Sequence, residues 1–152
     1  MVSLNQTLLI IKVYVRTKET NFKEEIVMRR KTIVFDFDGV IHKYSKGWQD
    51  GSIYDEPVDG IKDVINELHR EYDIYIVSTR CRELSGQIAV QRYLEKYNIE
   101  YDCVTSIKVP AQVYVDDRGI TFDPANIKTL ASDIRNFLTW QQKQAQPENK
   151  LF

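Results

Sequence analysis

Cysteine is scarce in this chain: Cys81 and Cys103 are the only two in 152 residues. Two thiols cannot build the disulfide framework of a small secreted domain, and reduced side chains in a cytoplasmic protein are the expectation. Long hydrophobic runs are missing as well. The longest near the N-terminus, residues 8–11, stops at Lys12, far short of the roughly 20 residues that span a bilayer. No basic stretch or small-residue cleavage site flanks it, so neither a signal peptide nor a membrane span is expected. Charge of one sign is absent too. The 21 basic and 22 acidic residues leave a net charge of −1, which provides no global field for nucleic acid or a membrane surface. No internal repeat is visible, which excludes solenoids and propellers. What remains is an ordinary globular composition, 43% hydrophobic and 28% charged, long enough for one domain with a core.

The strongest signal is Ile33-Val34-Phe35-Asp36-Phe37-Asp38-Gly39-Val40. An apolar run of this kind reads as a strand buried on both faces, and the glycine permits a sharp turn where it stops. Asp36 and Asp38 therefore stand at the C-terminal end of a strand, where open α/β sheets bind their ligands. The pattern recurs as Val113-Tyr114-Val115 running into Asp116-Asp117.

Strands and helices alternate between and around these motifs. The first strand covers 32–37, and a loop rich in Tyr, Gly, Trp and charge follows over 42–56. A helix starts near Pro57 and Asp59 and carries Ile61, Val64, Ile65 and Leu68 at helical spacing. Residues 74–77 form a second strand ending in Ser78-Thr79-Arg80, and Leu84, Ile88, Leu94 and Tyr97 outline a second helix. Short strands follow at 103–104 and 112–115, with a further one expected at 120–122. A closing helix over 127–140 carries Leu130, Ile134, Phe137 and Leu138 on one face. The implied fold class is α/β, a three-layer Rossmann-like parallel sheet with helices on both faces. The domain spans 28–141, preceded by an extension over 1–27 (an arm or an edge strand) and followed by a flexible polar tail over 142–152.

If the first and fourth strands lie side by side, Asp36, Asp38, Asp116 and Asp117 converge. Two carboxylates about 4 Å apart repel by roughly 4 kcal/mol at an effective dielectric of 20, so four cannot stay ionised together without a cation. Hard oxygen donors with no His or Cys in the motif favour Mg2+ over zinc. A magnesium site built for phosphate chemistry is the expectation.

In order and content these motifs resemble the haloacid-dehalogenase-like superfamily of phosphohydrolases, over about residues 33–122. Phe35-Asp36-Phe37-Asp38-Gly39-Val40 matches the nucleophile motif, and Ile76-Val77-Ser78 the strand ending in a phosphate-binding hydroxyl. Lys108 stands where the family has its lysine, and Tyr114-Val115-Asp116-Asp117 matches the acidic motif. Ser78-Thr79-Arg80 is also similar to the phosphatase half of phage-type polynucleotide kinase-phosphatases. The resemblance implies that Asp36 attacks phosphorus and forms an aspartyl phosphate. Asp38 would protonate the leaving oxygen and then take a proton from water, a role that calls for a raised pKa. Its backbone carbonyl would face the metal, alongside Asp36 and either Asp116 or Asp117. Asp117 is favoured as the direct ligand, with Asp116 orienting Lys108 or a metal-bound water. Ser78, with Thr79 as the alternative hydroxyl and Gly39 at the turn, would hold the phosphoryl group, and Lys108 would neutralise developing charge.

Arg80 is either a bidentate phosphate clamp or a structural ion pair. Arg118 pairs with an acid near its own turn. His42, close after the first acid motif, either touches substrate or is an incidental loop histidine; Tyr44 and Trp48 either wall the site or anchor the loop; Cys81 reads as an unreactive thiol. Neither gap between motifs holds a cap domain, which implies an open site for a phosphorylated small molecule, nucleotide or nucleic-acid end, with a homo-oligomer as one way to cover it. Two other functions use the same residues: a phospholigand-binding or regulatory module without turnover, and phosphotransfer to an acceptor other than water.

Overall fold

The computed structural model describes residues 30–145; the extension read over 1–27 and the tail beyond 145 lie outside them. The elements run β1 (Thr32–Asp36), α1 (Ile61–Leu68), β2 (Asp73–Val77), a 3-10 turn (Thr79–Arg82), α2 (Leu84–Lys96), β3 (Cys103–Thr105), β4 (Val113–Val115), a second 3-10 turn (Pro124–Asn126), α3 (Leu130–Arg135) and α4 (Trp140–Ala145). The four strands form one parallel sheet in the order β3-β2-β1-β4. This is the expected α/β, Rossmann-like architecture, and no cap domain interrupts it between β1 and β4. No helix among the described residues is long and apolar enough to cross a membrane.

Strand alternation sorts the core. Ile33 and Phe35 of β1, Ile74 and Ile76 of β2 and Val104 of β3 pack in one cluster with Ile65 of α1 and Val90, Tyr93 and Leu94 of α2. Both helices therefore bury their apolar stripes against the same sheet face. Right-handed crossovers from β1 to β2 and from β2 to β3, two steps in one direction, require this. The opposite face carries Val34, Val77 and Tyr114, and with Lys108 and Ile120 it forms an open groove of about 610 Å3 that reaches Asp36.

Several local expectations change. In α2, Leu84 and Ile88 face solvent, and the buried stripe is Val90, Tyr93 and Leu94 with Tyr97 against it. Residues 120–122 are not a strand. Asp123 instead caps the next turn, its carboxylate accepting the Ala125 N–H at 2.9 Å with Pro124 at the first helical position. The single helix expected over 127–140 is two short ones. The break has a cause in sequence: Thr139 and Gln142 form a reciprocal capping box. The Thr139 N–H donates to Gln142 Oε1 at 2.9 Å, and the Gln142 N–H to Thr139 Oγ1 at 3.4 Å. A new helix thus starts where the sequence reads as the onset of a polar tail, and α4 takes in residues 141–145.

Helix α1 offers a test of this packing. Ile65 is fully buried while its neighbour Val64 is about half exposed. Ile65→Ala should cost about 2–5 kcal/mol in chemical denaturation, and Val64→Ala less than about 1 kcal/mol. Equal costs would mean that α1 docks on another face.

Candidate active site

Three strand ends build the site. Strand β1 pairs with β4 through Ile33↔Val113, Val34↔Tyr114 and Phe35↔Val115, so the next residues in each strand, Asp36 and Asp116, leave the sheet side by side. Strand β2 flanks β1 on its other side with Asp36 opposite Val77, which places Ser78 beside Asp36. Asp36, Asp116 and Asp117 each offer a carboxylate oxygen, all within 4.8 Å of one another. The spatial expectation behind the acid cluster is met for these three.

The turn after β1 is fixed by Gly39. Its φ of +93° lies in the left-handed region, and a Cβ there would come within 2.4 Å of Asp117 Oδ2. Any other residue would be strained and would collide with a carboxylate. Asp117 is consequently enclosed. Its side chain is 3% exposed, and the nearest cation, Arg118 Nε, stands 3.8 Å from Oδ1. That oxygen is buried with no hydrogen-bond partner. An orphaned carboxylate oxygen facing two more carboxylates fits a hard divalent cation such as Mg2+. Asp116 is exposed and accepts the Arg118 N–H at 2.8 Å.

The acids are not electrostatically equivalent. Burial pushes Asp36 up to about 7, with Asp116, Asp117 and Asp38 adding repulsion against a smaller downward pull from the Phe37 N–H. Burial also raises Asp117, with Arg118 opposing and Asp116 adding to the rise. Asp38 goes the other way. Burial works to raise it, but hydrogen bonds from His42 and Arg80 together with the Arg80 charge win, and its carboxyl is held below the usual range. The raised pKa expected at Asp38 is therefore corrected: the neighbours that set it are donors, not the other acids. Arg80 Nε donates to Asp38 Oδ2 at 2.7 Å, Nη2 to Oδ1 at 3.1 Å, and Nη1 to the Gly51 carbonyl at 2.6 Å. Arg80 is buried, and its guanidinium lies 5.0 Å from the Trp48 ring and 5.9 Å from the Tyr44 ring. Of the two roles open to Arg80, the structural ion pair is the one seen. The Asp38 carboxylate belongs to this network and stands outside the three-acid cluster.

Around Asp36 and Asp38 a cavity of about 320 Å3 is lined by Tyr44, Trp48, Val77, Ser78, Thr79, Ser106, Asp116 and Arg118. Ser78 is buried and its Oγ accepts the Arg80 N–H at 3.2 Å, which leaves its hydroxyl hydrogen for another acceptor. Thr79 is exposed. Lys108 lies on the groove side of Asp36 and Asp116, with Nζ 5.4 Å from the Tyr114 ring. It makes no ion pair with Asp116 among the described residues, so the expected orientation of Lys108 by Asp116 is not seen. Cys81 is buried, and burial raises its thiol, consistent with an unreactive side chain.

Sequence reasoning passed over two contributors. His42, read as a substrate contact or an incidental loop residue but not as a partner of Asp38, is fully buried and its Nδ1 lies 2.8 Å from Asp38 Oδ1. Its signal was its position four residues after Asp38, just past a tight turn. Helix α4 returns to the site: Trp140 Nε1 donates to the Gly39 carbonyl at 2.7 Å, and Gln141 Nε2 to the Lys43 carbonyl at 3.1 Å. No periodicity in the sequence announces a contact about 100 residues away.

No protein-family model matches the chain, and no curated protein sequence matches it. Two solved structures are similar in shape. One is a chain of the Pnkp1/Rnl/Hen1 complex, at 16% identity and a TM-score of 0.42, covering 84% of this chain and 42% of that one. The other is a chain of the Pnkp1/Rnl/Hen1 RNA repair complex, at 14% identity and a TM-score of 0.42, covering 84% of this chain and 38% of that one. The chain thus spans about two fifths of the length of those chains, and a likeness of this degree assigns neither activity nor substrate.

Two predictions rest on this geometry. The folded protein keeps the Asp36 proton up to about pH 7, whereas the unfolded chain releases it near 4. The folded state binds the extra proton between those values, so metal-free stability falls as pH rises from about 4 to 7 and levels off above. At pH 8 without metal, Asp36→Asn should raise the melting temperature by about 5–10 °C, with little gain at pH 4. An equal gain at both pH values would contradict the raised pKa. Gly39→Ala should weaken Mg2+ binding by at least about tenfold in titration calorimetry, because its methyl group displaces Asp117; unchanged affinity would remove Asp117 from the cation site.

Proposed function

We propose that this chain is a magnesium-dependent phosphomonoester hydrolase of the haloacid-dehalogenase-like type, working through an aspartyl phosphate on Asp36 at an open, capless site. The observation that supports this best is the convergence of Asp36, Asp116 and Asp117 within 4.8 Å on one edge of a parallel sheet, beside a cavity that also holds Asp38 and Ser78. Asp36, Asp116 and Asp117 would hold Mg2+, which when bound offsets repulsion between these carboxylates and a phosphate dianion.

The chain's own residues then divide the work. A carboxylate oxygen of Asp36 attacks phosphorus and the bond to the leaving oxygen breaks. The leaving oxygen takes a proton from Asp38. Water next attacks the aspartyl phosphate, and Asp38 takes the proton that the water loses, which restores both acids. Asp38 rests ionised under Arg80 and His42, ready for the second step. For the first it takes a proton from bulk water, which an adjacent phosphate dianion favours, and it returns a proton to solvent once phosphate leaves. Ser78, with Thr79 beside it, donates to a phosphoryl oxygen, and Lys108 approaches from the groove side to balance charge. With the 42–56 loop and α4 beside it and no cap domain, the site admits bulky esters, including nucleotides and nucleic-acid ends.

Phosphate release from a panel of phosphomonoesters should require a divalent cation and stop with chelator. Asp36→Asn should reduce release by roughly 10³-fold or more, and beryllium fluoride should be trapped on wild-type Asp36. Release that survives Asp36→Asn or ignores chelator would overturn the mechanism. Tight phospholigand binding without any release would favour the regulatory module instead.

A further inference from the structure

We infer that His42 is a positioning residue. Its Nδ1–H fixes the Asp38 carboxylate, and the Asp55 backbone N–H in turn fixes His42. The inference rests on the phosphomonoesterase reading, and it assigns a role to a residue outside the motifs that carry that reading.

The tautomer follows from the partners. The Asp55 N–H donates to His42 Nε2 at 3.0 Å, so Nε2 presents a lone pair. The ring proton of the neutral imidazole is therefore on Nδ1, where it is donated to Asp38 Oδ1 at 2.8 Å. The ring cannot turn away. Phe37 stacks on it at 5.7 Å, and the edges of Tyr54, Tyr44 and Tyr93 close around it at 5.0, 5.7 and 5.8 Å. Asp55 is itself held, its carbonyl accepting from the Tyr93 hydroxyl at 3.0 Å and its carboxylate from the Ser45 N–H at 2.7 Å. A chain of contacts thus runs from α2 through Asp55 and His42 to Asp38.

Arg80 alone would not hold the carboxylate as well. Its fork grips both Asp38 oxygens, but its remaining anchor, the Gly51 carbonyl, is on the exposed loop. His42 reaches the same carboxylate from the protein interior. Aromatic neighbours on every side would accommodate phenylalanine without any unpaired nitrogen. A fully buried imidazole with both nitrogens paired, one of them on a carboxylate in the cavity, is the arrangement that positioning calls for and core filling does not.

The two roles predict opposite ranks for two variants. His42→Phe keeps the ring and its packing but removes the donor; His42→Asn loses the ring but keeps a donor at the Nδ1 position. Positioning predicts that His42→Phe lowers kcat by about 10–100-fold with KM within about twofold of wild type, and that His42→Asn recovers most of the loss. Core filling predicts the reverse order. His42→Phe at half the wild-type kcat or better, or His42→Asn slower than His42→Phe, would overturn the inference. A second measurement needs neither a stable His42 variant nor turnover. Long-range 1H–15N spectra of the wild-type chain should show His42 protonated on Nδ1 and bare on Nε2, with the signal displaced in Asp38→Asn. The opposite tautomer, or no displacement, would overturn the inference by itself. A wild-type chain that releases no phosphate but shows the expected spectrum would fail the hydrolase reading and leave the His42–Asp38 coupling standing.

Discussion

Like charges crowded at one sheet edge are the constraint on which the rest of this structure depends. Pairing of β1 with β4 brings Asp36, Asp116 and Asp117 within 4.8 Å of one another, where two ionised carboxylates repel by roughly 4 kcal/mol at an effective dielectric of 20. Sheet hydrogen bonds and a dense apolar cluster under β1 and β2 hold the strand ends there regardless. The glycine turn tightens the arrangement: Gly39 leaves no space for a Cβ beside Asp117. The fold thus keeps these acids together at a cost in stability, which a bound cation would offset.

The same edge resolves its acids in two different ways. Asp36 keeps its proton to about pH 7 because burial and neighbouring acids oppose its charge. Asp38, two residues on, is ionised because His42 and Arg80 donate to it. Strand β1 ends at Asp36 and the chain then turns toward Gly39, so the two side chains meet different surroundings, Asp36 the acids after β4 and Asp38 the Arg80 and His42 donors. Without a cation these two environments are the reverse of the states the proposed first step uses, an ionised Asp36 and a protonated Asp38; a cation on the three acids and a phosphate dianion beside Asp38 would shift both in the needed direction.

Local signals in the sequence carry β1, β2 and β4 well, because each is a short apolar run ending in a polar switch. They also carry the meeting of Asp36 with Asp116 and Asp117, since a parallel sheet sends every strand end to the same edge. What they do not carry is nonlocal. The ion pair of Arg80 with Asp38 joins residues 42 apart, and the hydrogen bond from the Asp55 N–H to His42 depends on how the loop folds back. In α2, Leu84 and Ile88 fit a helical period but face away from the sheet, because tertiary docking selects Val90 and Leu94 instead. The Thr139 and Gln142 box was readable as a helix start, yet the apolar spacing of Leu130, Ile134, Phe137 and Leu138 suggested one continuous helix and masked it.

Closure of the site falls to polar contacts instead of a packed cap. On one side the 43–56 loop is braced by Arg80 on the Gly51 carbonyl, by the Tyr54 hydroxyl on the Gly47 carbonyl at 2.7 Å and by His42 at Asp55. On the other, α4 reaches the Gly39 and Lys43 carbonyls through Trp140 and Gln141. These bonds hold the walls in place but bury little apolar surface, and Trp48 at the rim remains 62% exposed. The rim is therefore open to solvent, while Asp36 and Asp117 beneath it remain desolvated. For the proposed hydrolase the best-positioned group at this edge is the Asp38 carboxylate, gripped from the loop by Arg80 and from the interior by His42.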